Sequence, residues 1–125
     1  ELVVPAQNRY VSAARLVAAA VATDLDFTVD DLDELRIAID ESMTVLIAAA
    51  AASESIRIRF VADALDDGGS HRLRVEGAAT TERLTPSRPP SDALVAHILA
   101  AVTDGYELQP DRFEFVKSAT GEPAS

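Results

Sequence analysis

The sequence predicts an α+β fold, a two-layer sandwich in which a mixed, mostly antiparallel sheet carries three helices on one face. Three observations lead there. Helical periodicity dominates residues 10–52; the period then switches from 3.6 to 2 in two segments flanking an Asp/Gly-rich turn; and a last helical segment is followed by two short alternating ones. Strands joined by hairpins pair antiparallel, and a sheet apolar on one face buries that face against helices. At 125 residues the chain has the size of one domain with one core. Residues 1–117 are assigned to that domain and residues 118–125, "SATGEPAS", to a flexible tail.

The elements follow in order. "ELVVPA" is a short apolar strand stopped by Pro5. From Tyr10 to Ala22, Val11, Ala14, Leu16, Val17 and Val21 form a broad apolar stripe, which predicts a helix, and "DLDF" connects it onward. Thr28 is suited to cap the next helix, with Asp30 and Asp31 in the first turn, where the helix dipole favours negative charge. That helix is expected from about Val29 to Ala52 and is the longest element. "SIRIRFVA" then alternates Ile56, Ile58 and Phe60 with Arg57 and Arg59. "DALDDGGS" is a hairpin turn, and "HRLRVEG" resumes the alternation with Leu73 and Val75 inward, Arg72 and Arg74 outward. "AATTERLTPSRPP" reads as a polar, proline-bounded loop of the lid kind, full or shortened. Ser91 is placed to cap a third helix, "DALVAHILAAVTD", closed by Gly105 as a C-terminal cap. "YELQ" and "RFEFVKS", the latter with Phe113 and Phe115 inward, complete the sheet.

Composition narrows the function. A hydrophobic share of 48% with 26% charged residues is that of a soluble globular protein. The net charge of -10 disfavours nucleic acid and anionic membrane as partners and favours a basic protein surface. Absence of cysteine excludes disulfides, thiolate catalysis and cysteine–zinc sites, and fits a reducing cytoplasm. The two histidines, His71 and His97, are too few for a histidine metal site, and each reads as structural. Asp63, Asp66 and Asp67 lack the spacing of a calcium loop and read as turn residues. No apolar run reaches the ~18 residues of a membrane span, and no signal peptide is recognised, so a cytoplasmic location is expected. Ten of the eleven basic residues are arginine and alanine is abundant, which suggests a GC-rich bacterial genome.

Arg57, Arg59, Arg72 and Arg74 share the sheet face that the helices leave open, with Glu114 on the last strand as a counter-charge. Two readings stand: a solvated sheet face, or a surface for a second copy or another partner.

The second helix carries "RIAIDESMTVLIAAAAA", in which Asp40 and Glu41 precede an almost wholly apolar run. Together with "PAQNRYVSAARLVAAAVA" and "DELRIAIDE" upstream, this stretch resembles the anti-sigma-factor serine kinases, bacterial regulators with the histidine-kinase-like (GHKL, Bergerat) ATP-binding fold. The resemblance covers nearly the whole chain in element order and residues 1–50 in detail. In that family the helix bears E-x-x-x-N, commonly inside (S/D)-E-A-x-T-N-A. Here the match is "DESMTVL": Asp40, Glu41 and Thr44 are present, and Val45 stands where the family has asparagine. Residues four apart share a helix face. The family's glutamate orients or deprotonates the attacking hydroxyl, and its asparagine holds the magnesium on the phosphates, a task for an oxygen ligand that valine lacks. Ile37, Val45 and Ala48 are expected to line the face around Glu41.

The family's other two nucleotide motifs are altered too. D-x-G-x-G after the hairpin becomes "VEGAATTER", with Gly77 as the one glycine, no aspartate, and Glu76 in the outward phase. The glycine-rich turn before the last helix becomes "PSRPPSDALVAH", where prolines lack the N–H groups that cradle phosphate and Arg88 is the one basic residue. The resemblance therefore implies a regulator that binds a sigma factor, an anti-anti-sigma protein of the STAS class, or both. No ATP or magnesium cofactor is expected, and Glu41 becomes a vestigial candidate base. Arg15 falls where several members carry a partner-gripping arginine, and the acidic segment Asp24 to Glu34 is a secondary surface. Two alternatives are an active serine/threonine kinase with a divergent ATP site and an interaction module without a sigma partner.

Overall fold

The computed structural model describes residues 1–49, 55–64, 71–79, 93–109 and 111–119. Strands β1 (Leu2–Pro5), β2 (Ser55–Ala64), β3 (His71–Ala79), β4 (Gly105–Gln109) and β5 (Arg112–Ser118) form one sheet in the order β1-β2-β3-β5-β4. All four pairings are antiparallel, so the sheet is antiparallel throughout rather than mixed. Helices α1 (Val11–Asp24), α2 (Val29–Ala49) and α3 (Ala93–Val102) pack on one side of it, and a short 3-10 turn, Asn8–Tyr10, leads into α1.

Sequence alternation decides which sheet face is covered. Ile56, Ile58, Leu73 and Val75 are fully buried, and Phe113 and Phe115 nearly so, beneath Ala14, Ala18, Leu35, Ile39, Met43, Val95 and Leu99 of the helices. Arg57 and Arg59, one residue out of phase, are exposed. Phe113 and Phe115 stack with centroids 6.2 Å apart. Gly77 lies directly opposite Phe113, and a Cβ there would stand 2.3 Å from the ring's Cε2. The ring thus occupies the space that any side chain at position 77 would fill.

The α1–α2 junction is closed by backbone geometry on one side and side chains on the other. Asp26 adopts a left-handed φ of 62°; its N–H donates to the Thr23 carbonyl, and the Phe27 N–H donates to the Ala22 carbonyl. This is a Schellman-type stop with aspartate in the usual glycine place, and Phe27 is buried. Thr28 caps α2 as expected, in a reciprocal box: the Asp31 N–H donates to Thr28 Oγ1 and the Thr28 N–H to Asp31 Oδ2, each at 3.0 Å.

The end of α3 departs from expectation. Gly105 is not a helix cap but the first residue of β4, opposite Val116. Thr103 closes the helix instead, its hydroxyl and N–H both donating to the Leu99 carbonyl. Ser118, expected in the tail, pairs with Arg72, and the Ala119 N–H donates to the His71 carbonyl. The expected loop at 80–90, the cap at Ser91, the turn residues Asp66 and Asp67, and residues 50–52 of the second helix lie outside the described residues.

Candidate functional site

Helix α2 is the middle layer of the site. Its N-cap and acidic first turn fix the start, and Leu35, Ala38, Ile39, Ser42, Met43 and Leu46 form the stripe that anchors it on the sheet. That stripe sets the direction of every other α2 side chain. Asp40 faces α1, whereas Glu41 and Val45 turn towards the opposite flank.

Glu41 is half-buried and makes no hydrogen bond or ion pair among the described residues. One turn on, Val45 is 8% exposed and belongs to the core. The apolar lining expected around Glu41 is reduced to this valine, because Ile37 is 39% exposed and Ala48 also faces solvent. They flank the outer edge of the stripe, where helical drift carries positions four apart away from the core. Between them, Ser42 is fully buried with its hydroxyl unpaired.

On the other flank, Arg15 of α1 reaches Asp40 with Nε 3.3 Å from Oδ1, both side chains 39% exposed. Below the pair a cavity of about 160 Å³ lies between the helices, lined by Arg15, Ala18, Ala19, Leu32, Leu35 and Arg36 together with Asp33. Asp33 forms a second ion pair with Arg36 at 3.7 Å.

The open sheet face is charged but not uniformly basic. Arg57 pairs with Glu1 at 3.8 Å, Arg59 with Glu76 at 3.7 Å, and Arg74 with both Glu76 at 3.4 Å and Asp63 at 3.8 Å. Arg72 stands across from Asp63 on β2. Glu76, not Glu114, is therefore the main counter-charge: the register seats it between Arg59 and Glu114, within reach of Arg59 and Arg74. Glu114 instead faces Glu107 across β4, and a shallow depression of about 300 Å³ runs over these residues between Arg57 and Arg112.

This register also accounts for the first part of "VEGAATTER", residues 75–79. Glu76 is outward and ion-paired, and Gly77 is inward beneath Phe113. Positions 80–92, with Arg88 and the turn before α3, lie outside the described residues. His97 is exposed on α3, and His71 is half-buried at the start of β3. Among the described residues no helix is long and apolar enough to cross a membrane.

One buried charge was missed in the sequence. Lys117, in phase with Phe113 and Phe115, points into the core face at 5% exposure and donates to Glu34 Oε1 of α2. The alternation of "RFEFVKS" carried that signal, since inward positions two apart must include Lys117.

No protein-family model matches the chain. Over 63 residues it is 33% identical to the serine-protein kinase RsbW of Bacillus velezensis, a match spanning 48% of this chain and 39% of that protein. The chain thus matches about two fifths of that relative's length.

Proposed function

We propose that this chain is a regulatory binding protein of the anti-sigma-factor type, which binds a sigma factor, an anti-anti-sigma STAS protein, or both, and whose nucleotide site no longer works. Similarity to a serine-protein kinase supports the ancestry, as does the order of strands and helices around α2. The observation that carries the loss of activity is Val45: one turn after Glu41, buried at 8%, with no atom able to ligate magnesium. A base without a metal–phosphate site has nothing to act on. Such a regulator exchanges partners by competition and mass action rather than by phosphorylating one of them. Arg15 and the acidic stretch from Asp24 to Glu34 serve as the partner surface. The Arg57, Arg59, Arg72 and Arg74 face is a second surface, for another copy or another protein.

A serine kinase with a divergent site is the second reading, favoured by Glu41 being half-buried and unpaired among the described residues. Calorimetric titration with ATP and magnesium separates the two. No binding heat is expected; micromolar binding abolished by Glu41→Ala would overturn the proposal. Purified sigma factors and STAS proteins from the same genome, assayed for binding to the full chain, test the partner class. If none of them binds, an interaction module without a sigma partner replaces the anti-sigma reading.

A further inference from the structure

We infer that Asp40 is a built-in competitor for Arg15: its carboxylate occupies the guanidinium that a partner's acidic side chain must take in order to seat in the α1–α2 groove. This rests on the reading of Arg15 as a partner contact and adds what regulates that contact.

The ion pair is poorly made. Arg15 Nε and Asp40 Oδ1 are both shut off from solvent, yet at 3.3 Å they do not form a hydrogen bond. Both atoms have lost water without gaining a directional bond, while the side chains remain 39% exposed. A guanidinium binds a carboxylate best through two parallel N–H···O bonds. Asp40, on a short side chain carried by α2, brings Oδ1 to 3.3 Å from Nε without the aligned N–H···O bond on which such a fork is built.

The groove fits an incoming carboxylate. Arg15 and Arg36 line the same cavity, whose floor is kept open by Ala18 and Ala19 with Leu32 and Leu35 beside them. Among the described residues Arg36 pairs with Asp33, at 3.7 Å between exposed groups. Two arginines, each loosely neutralised from within the chain, give an acidic side chain two donors in exchange for weak existing contacts. The occupant is accordingly a partner protein's Asp or Glu side chain, opposite in charge to the two guanidinium groups that line the cavity.

A part-exposed ion pair that lacks a hydrogen bond is weak, so removing the competitor should tighten binding about three- to fivefold. The test measures affinity for a purified sigma factor or STAS protein that binds the wild-type chain, with thermal melts confirming that each variant folds. Asp40→Asn is expected to bind about three- to fivefold tighter. Arg15→Ala should bind more weakly, and adding Asp40→Asn to it should give no gain. Asp111→Asn, an equal charge change at the exposed β4–β5 turn, should leave affinity unchanged. In nitrogen-15 spectra of the free protein, the Arg15 Nε–H resonance should move on Asp40→Asn. An unchanged or weaker affinity for Asp40→Asn overturns the inference while leaving Arg15 in place. So does an equal gain from Asp111→Asn or in the Arg15→Ala background. Wild-type affinity in Arg15→Ala, or no binding by any sigma or STAS protein, instead removes the partner surface itself and the competitor with it.

Discussion

Lys117 is an ammonium on the apolar face of a sheet, its side chain 7% exposed, while the Glu34 side chain it pairs with is 42% exposed. That asymmetry makes the pair a sharp test of how buried charge is tolerated. Removing the carboxylate by Glu34→Gln leaves the ammonium in place without its counter-charge. Fully buried pairs broken this way lose about 3–5 kcal/mol, and the solvent around Glu34 reduces the expected cost to about 1–3 kcal/mol. For a chain of this size that lowers Tm by roughly 3–5 °C per kcal/mol. Replacing the ammonium with an apolar group of similar length, Lys117→Met, removes the desolvated charge as well, and its expected change is about 1 kcal/mol or less in either direction. The double variant should resemble Lys117→Met alone. Urea and thermal unfolding, followed by circular dichroism, give all three values. A neutral Glu34→Gln with Lys117→Met as the most destabilised variant would refute this account, because Lys117 would then act through packing rather than charge.

Three further outcomes are expected. Gly77→Ala drives a methyl group into the Phe113 ring, with Cβ 2.3 Å from Cε2, and should cost about 1–3 kcal/mol; Phe113→Leu in the same chain should recover part of it, as read by Tm. Asp26→Gly relieves the left-handed φ of 62° and should gain up to about 1 kcal/mol in urea unfolding. Val45→Asn places an amide at a site 8% exposed; it should cost about 1–3 kcal/mol without restoring ATP-dependent stabilisation, since the "VEGAATTER" and "PSRPPSDALVAH" stretches are altered as well.

The sequence by itself determined the element order, the covered sheet face and the extent of the helix that carries the candidate site. Each of these is written in local periodicity: period 2 around Ile56–Ile58 and Leu73–Val75, period 3.6 through Leu35–Ile39–Leu46, and the Thr28–Asp31 cap at a helix start. Valine at position 45 was equally plain, since a missing oxygen is a property of the residue and not of its surroundings. What tertiary structure decided is which distant groups meet. The register pairs Glu76 with Arg59 and places it beside Arg74, so the basic face is largely neutralised. The crossing of α1 and α2 joins Arg15 to Asp40, which are far apart in the chain. Gly105 became a strand residue because antiparallel pairing with Val116 claimed it. Ion pairs and registers depend on the placement of two elements at once, and no one-dimensional pattern specifies that placement.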